Sequence, residues 1–306
     1  MPVLLRSVLL RMADSPAVER VVRGSPLSGR LVRRFVAGDT MEQALDPVRA
    51  LNAAGMSVSL DFLGENTHTR EDAARSMGYY RALLCFIKER HLNANVSLKL
   101  TQLGLDIDEE LAIEHMRAIL VGAREGGQFV RIDMEGSPYT AATLRLFAAL
   151  RSDFDNVGVV IQSYLKRSAS DLEALIAHGA GVRLVKGAYQ EPPSIAFQRK
   201  ADVDRSFAEL AETLLLRGEN PAIATHDERL IEHARSFAAA HAIPPERYEF
   251  QMLFGIRRDL QERLVGQGHR VRVYTPFGTQ WYGYLMRRLA ERPANLWFFA
   301  RNLVRR

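Results

Sequence analysis

Four residues near the end of the chain have the types and spacing to hold a small anion. Tyr284, Arg287, Arg288 and Glu291 stand at relative positions 0, 3, 4 and 7 of a helical pattern running from about 279 to 292. That spacing gathers all four on one face, while Trp281, Leu285 and Leu289 follow a second, apolar line. Each guanidinium offers paired N–H donors in carboxylate geometry, so two adjacent arginines beside a phenol make a receptor for a small carboxylate. Alone, the same face reads more simply as charged surface with an Arg–Glu pair. The rest of the chain decides between the two.

Eight short β-like runs, at 57–63, 95–100, 129–134, 157–163, 182–186, 221–226, 248–253 and 271–275, recur along the sequence. Amphipathic stretches separate them, at 72–90, 108–125, 140–152, 170–178, 202–217, 228–241 and 256–266. Alternating strand and helix implies parallel strands with right-handed crossovers, and eight units imply closure into a (β/α)8 barrel. Nearly every strand ends in groups able to bind or react. Glu65 follows the first, Lys99 lies in the second, Asp133 and Glu135 in the third, and Gln162 ends the fourth. Arg183 and Lys186 belong to the fifth, Thr225 and His226 to the sixth, Glu249 and Gln251 to the seventh, and Tyr274 to the eighth. Any one of them could be a cap or a cross-strand hydrogen bond. Eight at the end of a barrel that builds active sites point to a functional mouth.

Composition sets the frame for these groups. The chain has 306 residues, 47% hydrophobic and 25% charged, with a formal net charge of +5. Lysine and arginine are scattered among acidic residues, so no nucleic-acid-binding stripe is visible; the charge suits an anionic substrate, cofactor or membrane surface. The single cysteine, Cys85, excludes an internal disulfide, and its place in YYRALLCFIKER predicts a buried core thiol. No run approaches a membrane span, and no HExxH motif or His/Asp/Glu cluster calls for a metal. Glycines at 122–127 and the pair His178–Gly179 read as helix ends. No GxGxxG follows a strand, which argues against a Rossmann nucleotide site. The first 50 residues or so are expected to form a native helical arm, Arg-rich but carrying Asp14 and Glu19, and 51–306 the catalytic barrel. The segment 189–202, with paired prolines, is expected to be mobile.

The motifs resemble proline dehydrogenase, a flavin enzyme family built on a distorted (β/α)8 barrel. The resemblance covers roughly 35–301 and rests on LDFLGE at 60–65, VSLKLTQLGL at 96–105, VRIDME at 130–135 and IQSYLKR at 161–167. RLVKGAY at 183–189, ATHD at 224–227, EFQMLFG at 249–255, VYTPFG at 273–278 and YLMRRLAERPAN at 284–295 complete it. Each motif is weak alone; their order at strand ends makes the set specific. The sequence looks like the monofunctional bacterial form, without the aldehyde dehydrogenase module of bifunctional relatives.

The resemblance implies that the last helix covers the barrel mouth. Arg287, Arg288 and Lys99 would then hold the carboxylate of L-proline, with Tyr274, Tyr284 and Leu253 around its ring. It implies non-covalent FAD on the strand ends, touched by Met134, Gln162, Arg183, Lys186, Gly187, Ala188, Thr225, His226 and Glu291. Arg183 would approach flavin N5, Lys186 with Gly187 and Ala188 the pyrophosphate, and Thr225 with His226 the ribose or adenine. Asp133 and Glu291 would balance the arginines, and Asp133 and Arg183 are the catalytic candidates. Glu65 and Arg183 would close over the substrate as a gate.

Hydride would pass from proline C5 to FAD, giving Δ1-pyrroline-5-carboxylate, with a membrane quinone as electron acceptor. A cytoplasmic location follows, with WFFARNLVRR at 297–306 either touching the inner membrane face peripherally or packing on the barrel or a second subunit. An oligomer stays open, and no nucleic-acid partner is expected. Hydroxyproline is a near alternative substrate, although both ring-facing tyrosines keep the proline pattern. A methylenetetrahydrofolate-reductase-like barrel has no use for the adjacent arginines. A silent flavin- or proline-binding sensor fits poorly with an intact set of Lys99, Asp133, Arg183, Arg287 and Arg288.

Overall fold

A computed structural model describes residues 19–20, 22, 26–64 and 67–291; the side chains of 26–28, 30, 31, 287 and 289–291 lie outside the description. Helices α1 (Pro26–Phe35) and α2 (Met41–Ala53) lie before the first strand. Eight strands follow: β1 (Ser57–Phe62), β2 (Ala94–Leu98), β3 (Val130–Ile132), β4 (Val157–Gln162), β5 (Gly181–Val185), β6 (Glu219–Ala224), β7 (Glu249–Leu253) and β8 (Arg270–Phe277). Between and after them come α3 (Arg70–Glu89), α4 (Glu109–Glu125), α5 (Ser137–Arg151), α6 (Ser168–Ala177), α7 (Lys200–Arg217), α8 (Glu228–Ala240), α9 (Arg258–Gly266) and α10 (Trp281–Glu291). The strands are parallel and form a closed barrel in sequence order, sealed where β8 pairs with β1 from Ser57↔Arg272 to Phe62↔Phe277. The expected (β/α)8 barrel is present, with a register shift between β5 and β6 near Gly181 and Arg183.

Local chemistry explains where the elements begin. Thr69 and Asp72 form a reciprocal capping box at the start of α3, and Asp108 and Asp227 accept backbone N–H groups at the starts of α4 and α8. The six residues of β4, VGVVIQ, are all buried, as expected for a strand covered on both faces. The third strand is shorter than its apolar run suggests. It stops at Ile132, with one more bond to β2 from Asp133 N–H to Leu98 O at 2.8 Å, and Asp133, Met134 and Glu135 follow at its C-terminal end.

Cys85 departs from expectation: it is exposed. Its helical neighbours at i−4, i+3 and i+4 are Arg81, Lys88 and Glu89, so the 3.6-residue period puts Cys85 on the charged face of the run. Tyr80, Leu83, Leu84 and Ile87 take the barrel side of α3, which turns Cys85 outward. The 189–202 segment is tethered. Lys166 N–H donates to Ile195 O at 3.0 Å, Phe197 N–H to Tyr164 O at 2.8 Å, and Ser137 N–H to the Glu191 carboxylate at 2.7 Å.

Helix α10 is held from the N-terminal side of the chain. Val22, Val32, Phe35 and Val36 form one apolar cluster with Leu63, Ile256, Trp281, Tyr282, Tyr284, Leu285 and Met286. The apolar line read from Trp281 and Leu285 is therefore its packing face. Gly255, at φ +72, permits the contact: a Cβ there would lie 1.7 Å from the carbonyl oxygen of Arg34. No helix among the described residues is long and apolar enough to cross a membrane.

Candidate active site

Side chains alternate in and out along a strand, so polar residues two apart in an otherwise apolar strand share the barrel interior. β1 contributes Ser59 and Asp61, β2 Ser97 with Lys99 just beyond it, and β3 Arg131 with Asp133 beyond its end. β5 contributes Arg183, β7 Glu249 and Gln251, and β8 Arg272 and Tyr274.

Arg183 is the hub of this set and is only 4% exposed. Its Nη1 donates to Asp133 Oδ1 at 2.7 Å and to Ser97 Oγ at 3.1 Å, its Nη2 to Ser59 Oγ at 3.2 Å, and its Nε to Gln251 Oε1 at 2.6 Å. The Tyr274 ring lies under the guanidinium, 5.2 Å from its central carbon, and the Tyr274 hydroxyl donates to Asp133 Oδ2 at 2.7 Å. Asp133 thus accepts from Arg183 and Tyr274, and from Ser97 Oγ at 2.7 Å. Burial, with the negative charges of Asp133 and Asp61, pushes the Tyr274 phenol well above its ordinary range, so it remains a neutral donor. Above this layer Lys99 Nζ lies 3.5 Å from Asp61 Oδ1.

Below it sits a second ionic layer. Arg272 Nε donates to the two Glu249 oxygens at 2.9 and 3.2 Å, and Arg131 Nη1 donates to Gly181 O at 2.5 Å. Burial, followed by repulsion from Arg183, brings Arg131 down to about 9. Four cations, Arg131, Arg183, Arg272 and Lys99, thus face three carboxylates, Asp61, Asp133 and Glu249, inside the barrel, which leaves one surplus positive charge.

The ends of β4, β5 and β6 form a neighbouring edge. Gln162 is buried and its Nε2 donates to Glu135 O at 2.9 Å; Met134 is buried beside it in sequence. Burial raises the Glu135 carboxyl against the opposing hydrogen bonds of Thr101. Lys186 Nζ bridges Asp204 at 2.6 Å and Asp227 at 3.2 Å, and Lys200 joins the same two carboxylates. Burial alone would raise Asp227, but hydrogen bonds and charge from Lys186 and Lys200 prevail and hold it at about 2. Gly187 has φ +108, and a Cβ there would meet the Tyr164 ring at 2.2 Å, so bare backbone borders Lys186. Ala188 follows it and is exposed. Thr225 Oγ1 accepts from Asp227 N–H at 3.1 Å. His226 Nε2 accepts from Leu253 N–H at 2.9 Å, which assigns a neutral ring with its proton on Nδ1.

Tyr284 is buried, and Arg288 lies over its ring at 5.3 Å, so the phenol and one arginine of the α10 face are adjacent. Arg287 and Glu291 belong to α10, but their side chains lie outside the described residues, as does Glu65 entirely. Asp133 bonds to Arg183, Ser97 and Tyr274. Sequence reading missed Ser59, Ser97, Asp61, Arg131 and Arg272 as interior groups. The signal was there, in the pairs SLD, SLK, RID and RVY, each with polar residues two apart.

Fold and site together define a (β/α)8-barrel enzyme with a charged relay beneath its C-terminal mouth. A family model described as proline dehydrogenase matches residues 44–301. The chain is 40% identical over 305 residues to Proline dehydrogenase 1 of Bacillus subtilis (strain 168), covering 99% of this chain and 100% of that one. It is 39% identical over 310 residues to the proline dehydrogenase of Deinococcus radiodurans, covering 99% and 98%. The solved proline utilization A of Bdellovibrio bacteriovorus, inactivated by N-propargylglycine, superposes with a TM-score of 0.82 at 26% identity. That likeness covers 94% of this chain but 35% of the longer protein, so the chain spans about a third of it. The chain belongs to the proline dehydrogenase family and is an enzyme of proline oxidation.

Proposed function

We propose that the barrel mouth binds FAD non-covalently beside L-proline and oxidises proline to Δ1-pyrroline-5-carboxylate, with a membrane quinone receiving the electrons. The observation that carries this reading is the Arg183 hub: one buried cation, fixed from four strands, above surplus positive charge. The residues present fit the cofactor. Gln162, Lys186, Thr225 and His226 follow one another along the ends of β4, β5 and β6, and Gly187, packed against the Tyr164 ring at φ +108, sets the backbone turn between Lys186 and Ala188. Met134 and Ala188 complete that edge, and Glu291 would approach it from α10. Bound there, FAD supplies a hydride acceptor at its N5 atom.

The chain's own residues supply orientation and charge. Arg287, Arg288 and Lys99 hold the proline carboxylate, as forked and point-charge donors suit. Tyr274, Tyr284 and Leu253 wall the ring. Proline enters with its nitrogen unprotonated, loses hydride from C5, and the resulting iminium passes its N–H proton to solvent. Arg183 offsets negative charge that develops on the acceptor side, and Asp133 holds Arg183 and Tyr274 in register for that task. Glu65 and Arg183 act as the gate. Residues 1–50 serve as a helical arm that seats α10 over the barrel of 51–306, a reading supported by the cluster joining α1 to α10.

The test is turnover of the purified, FAD-loaded protein with L-proline and a soluble quinone. The expected result is one cyclic imine for each quinol, with proline KM raised by Lys99→Met and flavin content unchanged. Bound flavin without imine formation would overturn the reading.

A further inference from the structure

Two buried residues of β7 lie beneath the mouth and have no part in the roles given above. Gln251 Oε1 accepts from Arg183 Nε at 2.6 Å, and Gln251 Nε2 donates to Glu249 Oε1 at 2.5 Å. An amide carries one acceptor oxygen and one donor nitrogen, whereas an ionised carboxylate only accepts. Glu249 therefore draws the amide nitrogen toward itself and turns the amide oxygen toward Arg183.

That direction holds only while Glu249 is ionised. Burial pushes its carboxyl up, but the charge and hydrogen bond of Arg272, with Gln251 and Arg131, outweigh burial and keep it low. Arg272 is itself fixed, its Nη1 donating to Val58 O at 3.0 Å. The order of groups is thus Arg272, Glu249, Gln251, Arg183, Asp133, with donor meeting acceptor at each step.

Asp133, Ser97 and Ser59 hold the guanidinium on its Nη side and the Tyr274 ring lies against its face, and an acceptor on the Nε edge adds a further anchor for its orientation. Among the described contacts, Gln251 is the group on that edge. We propose that Gln251, oriented by Glu249, is a positioning residue for proline oxidation: it fixes the plane of Arg183 and hence the direction in which its charge faces the mouth. The inference rests on Arg183 standing beside the flavin in the reading above. Neither Gln251 nor Glu249 touches substrate, so loss of the relay falls on turnover rather than on substrate binding.

The experiment compares Gln251→Met, Gln251→Glu, the exchange Glu249→Gln/Gln251→Glu, and Arg183→Lys in the FAD-loaded enzyme. Gln251→Met keeps the volume and removes the acceptor. It is expected to lower kcat about tenfold, to leave proline KM within about threefold, and to shift the flavin midpoint potential. Gln251→Glu sets two carboxylates against each other and is expected to be impaired as well. The exchange restores the alternation, because the amide brought to position 249 can donate to the carboxylate brought to 251. It is expected to recover kcat to within about threefold of wild type. In the flavin-free protein the 15N-labelled Arg183 Nε–H signal, identified by its loss in Arg183→Lys, is expected to move in Gln251→Met.

A general weakening of β7 would lower the melting temperature of all β7 variants without this pattern in potential, kcat and rescue. Wild-type kcat and potential in Gln251→Met, with Arg183→Lys impaired, would overturn the positioning role. An exchange no better than its single variants would overturn the orientation by Glu249. Wild-type turnover in Arg183→Lys would remove the placement of Arg183 itself, and the inference with it.

Discussion

Removing Asp133 should expose how the interior charges are balanced. Its carboxylate accepts from Arg183, Ser97 and Tyr274, and its side chain is 13% exposed against 4% for Arg183. In Asp133→Ala the Arg183 guanidinium keeps only neutral acceptors, Gln251, Ser97 and Ser59. The three interior guanidinium groups and Lys99 then face two carboxylates, Asp61 and Glu249. Breaking one side of a buried pair costs about 3–5 kcal/mol, a large share of the roughly 5–15 kcal/mol that holds a domain folded. Asp133→Asn should cost less, because its amide oxygen still accepts from Arg183. Tyr274→Phe deletes one hydrogen bond to a charged acceptor, worth about 1.5–3 kcal/mol. In the Asp133→Ala background the same change should cost at least about 1 kcal/mol less, since the acceptor is already gone. Denaturant unfolding of the flavin-free protein, followed by tryptophan fluorescence and circular dichroism, measures all three. A cost below about 1 kcal/mol for Asp133→Ala, or strict additivity with Tyr274→Phe, would refute the charge-balance argument.

Other outcomes follow from the same geometry. Gly187→Ala combines φ +108 with a Cβ 2.2 Å from the Tyr164 ring, so FAD binding measured by fluorescence quenching should weaken at least about tenfold. Unchanged affinity would show that this turn does not meet the cofactor. The Asp227 carboxyl is held at about 2 in the fold, below its ordinary value of 3.8. A carboxylate lowered by folding contributes stability above its unfolded value and loses it as pH falls through the folded one. The stability difference between wild type and Lys186→Met, present at pH 5, should therefore shrink as pH drops from about 4 toward 2. A difference independent of pH in urea titrations would contradict this. Glu65→Ala should raise proline KM more than it lowers kcat; an unchanged KM in steady-state kinetics would remove the gate.

The barrel was legible because strand and helix periods alternate eight times with little interruption, and the strands start within a few residues of their apolar runs. Ends were less legible. β3 runs only to Ile132, and the Asp133 side chain beyond it meets Arg183 and Tyr274, partners on strands distant in sequence. The polar mouth could be read from residue types alone, but its pairing could not, because the contacts of Asp133 with Ser97, Arg183 and Tyr274 form only when the barrel closes. Cys85 was legible from the helical period, since Arg81, Lys88 and Glu89 share its face while Tyr80, Leu83, Leu84 and Ile87 form the buried line. The apolar residues adjacent to it in sequence hid this. Arg131 and Arg272 of the lower layer were overlooked because arginine in a strand reads as surface, whereas their partner Glu249 was picked out. The inward direction of the layer emerges once Arg272 and Tyr274 are seen to share a face.

The central claim, that this barrel mouth oxidises proline with FAD, is tested most directly by an anaerobic absorbance titration of the FAD-loaded protein with L-proline. The account predicts stepwise loss of the oxidised-flavin band as proline is added, with an Asp133→Ala control that bleaches far more slowly. A protein that stays fully oxidised under excess L-proline would contradict it.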